Sequence, residues 1–114
     1  MQVSDGLTAL RRDGYTVVHD LRRDVELVSG PNGVFLVELR SGATTADARS
    51  KAAELQAELR CAVTPVLCAG DRTFRTDGVL VAARGELAEA IRSVPPQRRL
   101  APERLSQFGH SLKV

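Results

Sequence analysis

The sequence predicts an α/β fold with a mixed central sheet of about five strands flanked by helices. Three features carry that expectation. A β-branched run leads into an apolar hairpin between Val25 and Arg40, a helical stripe of small and aliphatic residues follows, and two short apolar runs close the pattern at Val63–Cys68 and Val79–Ala83. The predicted order is helix, three strands, long helix, two strands and two helices, folded as one domain over residues 1–114.

Leu7, Leu10 and Arg11 predict a short amphipathic helix that Asp13 and Gly14 stop. Tyr15 to Leu21 (YTVVHDL) has the β-branched and aromatic character of a strand, and Arg22-Arg23-Asp24 form a charged turn. Val25–Ser29 and Val34–Arg40 are joined by Gly30-Pro31-Asn32-Gly33, a turn signal. Thr44 or Thr45 is the N-cap of the long helix, whose buried stripe is Ala48, Ala52, Leu55, Leu59 and Ala62. Pro65 argues against a regular central position for Val63–Cys68, so that strand enters beside an edge or opens its ladder only after the proline. Thr73–Arg75 predicts a brief strand, Asp77-Gly78 a tight turn, and Glu86–Ser93 a helix that Pro95-Pro96 ends. Pro102 suits the first turn of a last helix with Leu105, Phe108 and Leu112 on its apolar side.

Composition narrows the function classes. The chain has 114 residues, 43% of them apolar and 26% charged, with a formal net charge of +2. No apolar run approaches the roughly 20 residues of a membrane helix, and polar Ser4, Asp5 and Arg11 stand where a signal peptide would be apolar, so a cytoplasmic protein is expected. Cys61 and Cys68 have no neighbouring Cys or His to complete a zinc set, and buried thiols are the expectation. Positive charge gathers late: Arg92, Arg98, Arg99, Arg104 and Lys113 face only Glu103, whereas the first 24 residues balance four arginines with four aspartates. Such a cluster suits either a solvated face or a phosphate track.

The hairpin carries carboxylates among core-type residues, and a carboxylate in an apolar strand requires a partner, hydrogen bonds or a metal. Side chains alternate faces along a strand. Matching the most apolar faces sets Val25 and Leu27 with Phe35, Val37 and Leu39, which leaves Asp24, Glu26, Glu38 and Arg40 on a common side. Two acids on adjacent strands suffice for Mg²⁺, which takes its remaining ligands from water and phosphate. Alternatively, Glu38 and Arg40 form a charge set on a solvated face. His19 and Asp20 point to opposite faces and do not form an acid-base pair, and His110 is expected at the surface. No Ser-His-Asp order, Gly-rich phosphate loop or paired CxxC is present.

The segments YTVVHDL, GPNGVFLVELR, VTPVLCAG and DGVLVAARGELAEAI, in that order and spacing, resemble the nuclease-related domain (NERD) family. That family belongs to the restriction-endonuclease-like superfamily with the PD-(D/E)xK motif. The resemblance covers roughly Gly14 to Val94, and its most specific part is Gly-Pro-Asn-Gly-Val-Phe running into acid-x-base. It implies a restriction-endonuclease-like sheet and a DNA phosphodiesterase in which Mg²⁺, or Mn²⁺ in its place, is held by an Asp before the turn and the Glu of Glu-x-Lys after it. Glu38 falls on the Glu, Arg40 on the Lys and Val25 on the Asp.

These departures have chemical consequences. Arg40 stays protonated, so it can neutralise transition-state charge but cannot take a proton from water. Val25 cannot bind a metal, and the site then requires a bulge or register shift that brings Glu26 or Asp24 into place. The family's helical acid near the N-terminus and its long-helix glutamine lack counterparts, with Asp47 and Arg49 near the latter position. Three readings result. One is a weakened metal nuclease using Glu26, Glu38 and Arg40, with Asp24 as a further metal ligand. Another is an inactive nuclease-fold module that binds nucleic acid, a protein partner or a second copy, and the last is a structural partner that has lost both properties.

Overall fold

A computed structural model of the chain describes residues 3–96. The expected last helix, His110 and most of the late basic cluster lie outside the described residues. The elements are α1 (Val3–Arg12), β1 (Thr16–Asp20), β2 (Val25–Gly30), β3 (Gly33–Glu38), α2 (Thr45–Leu59), β4 (Val63–Cys68), β5 (Phe74–Thr76), β6 (Val79–Ala82) and α3 (Leu87–Arg92). They build an α/β fold around a mixed six-stranded sheet of order β1-β2-β3-β4-β6-β5. The brief strand expected at Thr73–Arg75 is β5, a three-residue edge strand antiparallel to β6, and it brings the sheet to six strands.

The first three strands form an antiparallel meander. The α2 crossover then makes β4 parallel to β3, and β6 is parallel to β4. Pro65 falls in the part of β4 paired only with β3, since the ladder to β6 opens at Val66. A missing N–H is tolerated there because no β6 acceptor stands opposite it.

Both faces of the sheet are covered. Leu10 of α1 and Leu87, Ala88, Ala90 and Ile91 of α3 pack on Val28, Phe35, Val37, Val66, Cys68, Leu80 and Ala82. Ala48, Ala52 and Leu55 of α2 cover the other face, meeting Val25, Leu27, Val34, Leu36 and Val63 in one cluster and Leu67, Val79 and Val81 in another. All six residues of β3 are buried, as befits a central strand between two helical layers. The α2 stripe ends sooner than expected: the helix stops at Leu59, Arg60 caps it in a left-handed conformation at φ 55, and Ala62 is exposed.

Local chemistry sets the boundaries. Thr44 and Asp47 form a capping box at the start of α2, the threonine hydroxyl accepting from the Asp47 N–H at 3.1 Å and the carboxylate from the Thr44 N–H at 2.9 Å. Thr44's backbone N–H, and then its hydroxyl contact, hold the Asp47 carboxyl below its ordinary pKa. The β2–β3 hairpin closes through Pro31 and Asn32, with Gly30 paired to Gly33. Asn32 is buried, accepts from the Tyr15 hydroxyl at 2.8 Å and donates to the Ile91 and Val94 carbonyls at 2.7 and 3.0 Å. The turn is thereby tied to the end of α3. Cys68 is buried, which raises its thiol pKa, and Cys61 is half-buried.

Candidate functional site

The register corrects the expected carboxylate cluster. Because the hairpin turns in two residues, Leu27 pairs with Leu36 and Glu26 with Val37. Paired residues share a face. Glu26 therefore lies on the α1/α3 side with Val28, Phe35 and Val37, while Val25 and Leu27 share the α2 side with Leu36 and Glu38. Glu26 and Glu38 sit on opposite faces, and Asp24 accompanies Glu26.

Glu38 ends β3 with no exposed surface, and Lys51 of α2 reaches it. The Lys51 ammonium donates to Glu38 Oε2 at 2.7 Å and to the Arg23 carbonyl at 2.9 Å. Glu38 Oε1 accepts no hydrogen bond among the described residues, and its nearest cationic group is Arg40 Nε at 3.8 Å. Arg40 is half-exposed and also stands 3.8 Å from Asp47 Oδ2. The structure thus brings Glu38 and Arg40 together as the motif spacing expected.

A second buried acid lies on the same face. Asp20 pairs with Val25 across β1 and β2, so Asp20, Val25 and Glu38 form a row under α2. Asp20 accepts from Arg23 at 2.5 Å and from the Arg22 N–H at 3.1 Å. Arg23 also donates to Glu58 at 2.9 Å and approaches Glu54 at 3.5 Å, which pins the β1–β2 turn to α2. Burial alone would raise the Glu58 carboxyl, but its bonds to Arg22 and Arg23 hold it below its ordinary pKa. Each buried carboxylate in the row is answered by a cation, as a low-dielectric setting requires.

The remaining candidates gather on the opposite face. His19 Nδ1 contacts the Glu26 carboxylate, and His19 Nε2 lies 3.6 Å from Asp24 Oδ1. The Glu26 hydrogen bond raises the His19 pKa against the opposing effect of burial, and the charges of Glu26, Asp24 and Asp20 add to the rise. His19, Asp24, Glu26 and Leu39, with Val25 and Arg40 from the α2 side, line a cleft of about 210 Å³ at this end of the sheet.

These residues do not fit a two-carboxylate magnesium site. Val25 occupies the position on Glu38's face where a second acid is needed, and Lys51 already holds one Glu38 oxygen. Among the described residues, no group of three or more His, Cys, Asp and Glu side chains is arranged to hold a metal ion. Lys51 was the residue most easily missed from sequence. It sits three positions after Ala48 and four before Leu55, on the buried stripe itself, and a lysine there signals a buried anion to meet it.

The fold and this row of paired charges define an α/β domain with an internal ion-pair network under its crossover helix. Compared with protein-family models, with curated proteins and with solved structures, the chain matches none. Among the described residues, no helix is long and apolar enough to cross a membrane.

Proposed function

We propose that the chain is a nuclease-fold module, related to the NERD family, that binds nucleic acid without cutting it. The observation that carries this reading is the Lys51 ammonium on Glu38, with Val25 on the same face. In that arrangement the motif glutamate serves as the counterion of a helix lysine. The elements Gly14 to Val94 follow the order the family resemblance implies, which supports the nuclease-fold part of the proposal.

The binding part rests on the edge where the parallel strands end. β3, β4 and β6 run in the same direction, and ligands of such sheets lie beyond the carboxyl ends of the strands. Arg40, Arg72 and Arg84 follow those three ends and all are exposed. The Arg84 N–H donates to the Gly70 carbonyl at 3.4 Å, joining the loops that carry two of them. Of the acids near them, Asp47 caps α2 and Glu86 accepts from Thr73 at 2.5 Å, while Asp71 stands exposed beside Arg72. Three guanidinium groups along one edge suit a phosphate backbone, which they can meet bidentately.

Fluorescence anisotropy with labelled single- and double-stranded DNA, with and without Mg²⁺, tests the proposal. Binding should weaken with salt at a slope of about −0.9 per phosphate contact on duplex DNA and about −0.7 on single strands, so about −3 and about −2 for three arginines. The Arg40→Ala/Arg72→Ala/Arg84→Ala variant should lose most of that slope, and the DNA should stay intact. Mg²⁺-dependent cutting that disappears in Glu38→Ala would overturn the proposal, as would salt-independent or absent DNA binding.

A further inference from the structure

The two polar clusters lie on opposite faces of the sheet, yet a single peptide unit joins them. Arg23 supplies the carbonyl that accepts from Lys51 on the α2 side. The nitrogen of that same peptide belongs to Asp24, whose carboxylate lies 3.6 Å from His19 Nε2 on the other side. A peptide plane is rigid, so a rotation at Asp24 reorients the Arg23 carbonyl. Asp24 has φ 54, a left-handed turn conformation that Asp adopts more readily than most non-glycine residues.

We propose that His19 is a proton-operated latch on the β1–β2 turn. In its charged form the imidazolium donates from Nδ1 to Glu26 and attracts Asp24 through Nε2, holding Asp24 and with it the Arg23 carbonyl in place beneath Lys51. Loss of the proton removes the attraction for Asp24, which is 70% exposed, and the 23–24 peptide can then turn about an Arg23 side chain still tied to Asp20 and Glu58. Lys51 keeps Glu38 but loses its second acceptor.

The charged neighbours of His19 support such a response. Glu26 on β2 and Asp24 and Asp20 around the turn favour the charged imidazole, Glu26 most strongly through its hydrogen bond. Arg40, two residues past the end of β3, lines the same cleft. Arg11 of α1 approaches β1 at the Val17 carbonyl, 3.4 Å away, two residues before His19. Burial opposes the charge only in part, and the balance raises the His19 pKa above its ordinary value. The latch concerns the turn alone and holds whether or not the chain binds nucleic acid.

Heteronuclear NMR of the intact chain between mildly acidic and mildly alkaline pH tests it. The His19 ring, the Arg23 and Asp24 backbone signals and the Lys51 ammonium signal should share one midpoint. In Asp24→Asn the His19 midpoint should fall toward its ordinary value, and the Arg23 and Lys51 signals should stop following it. His19→Gln should remove the shared midpoint from every signal. Arg23 and Lys51 signals that stay flat through the wild-type His19 titration overturn the latch. So do signals that still follow His19 in Asp24→Asn, because the relay would then bypass the 23–24 peptide.

Discussion

Lys51 Nζ lies 2.7 Å from the Glu38 carboxylate, joining the crossover helix to the last residue of β3. Glu38 has no exposed surface and Lys51 retains 19% of its side-chain exposure. The two charges are therefore unequal in their need for each other, since Lys51 can reach water and Glu38 cannot. The pair is also placed where the two α2-side clusters meet, between Leu36 on its own strand and Leu67 beside it on β4.

Removing Lys51 should cost more than removing Glu38. Lys51→Met leaves a buried carboxylate without its cation, and breaking such a pair from one side costs about 3–5 kcal/mol. Glu38→Gln keeps an acceptor for the ammonium and should fall below that range. The double replacement Glu38→Leu/Lys51→Met removes both charges and should recover much of the loss, because apolar substitutes for a buried pair are often neutral or stabilising. Urea unfolding of wild type, Glu38→Leu, Lys51→Met and the double variant gives the coupling directly. Additive losses in the double variant would show that the two side chains do not act as a pair.

The same pair marks where sequence reading succeeds and where it fails. Strand and helix identities were legible because each element carries its own period or turn signal, and Gly30-Pro31-Asn32-Gly33 announced the hairpin. Facing was not legible from apolarity. Every residue of β3 is buried, so matching apolar residues across the hairpin carries no information on parity. The two-residue turn does carry it: pairing Gly30 with Gly33 sets Leu27 against Leu36 and sends Glu26 and Glu38 to opposite faces. Lys51 was overlooked because a helix lysine is ordinarily solvated, although its place on the Ala48, Ala52 and Leu55 stripe said otherwise. Asp20 was correctly set opposite His19, but its partner Arg23 read as a turn residue, and only the folded turn brings that guanidinium back onto the acid.

Calorimetric titration with Mn²⁺ separates a metal centre from an ion pair. Wild type and Glu38→Ala should give the same heats, since Lys51 and Val25 leave no two-carboxylate site for Glu38 to complete. Val25→Asp combined with Lys51→Ala places an acid directly beside Glu38, between it and the Arg23-paired Asp20, and removes the competing ammonium, and this variant should gain Mn²⁺ binding. Its circular dichroism establishes first that it folds. A wild-type binding heat that vanishes in Glu38→Ala contradicts the ion-pair reading.

His19 gives stability a defined pH dependence. Its folded pKa is raised, chiefly by the hydrogen bond to Glu26, so the folded chain holds this proton more tightly than the unfolded chain. The contribution is therefore fully present below the ordinary histidine pKa of about 6.5 and fades as pH rises through the folded value. His19→Gln should flatten that part of the stability profile while leaving the acid limb unchanged. Urea midpoints collected at closely spaced pH values test the expectation, and a wild-type profile that rises across this window would contradict the sign.

Gly30 marks a contact on which the hairpin's seating depends. A Cβ at this position would lie 2.4 Å from the Tyr15 ring, a distance that ordinary packing does not allow. Tyr15 cannot yield freely, because its hydroxyl donates to Asn32 at 2.8 Å, and Asn32 in turn holds the Ile91 and Val94 carbonyls. Gly30→Ala should therefore displace the ring and cost about 1–3 kcal/mol or more, the usual range for forced overpacking. Tyr15→Phe keeps the ring and deprives the Asn32 acceptor of its donor, for a loss of about 1–3 kcal/mol. The two mechanisms separate in a smaller background. With Tyr15→Leu in place, the added methyl of Gly30→Ala meets less of a side chain and its further cost should shrink well below the wild-type value. Thermal and urea unfolding of the four-member cycle measure that difference. An undiminished cost in the Tyr15→Leu background would place the Gly30 requirement in the backbone of the turn instead of in the ring above it.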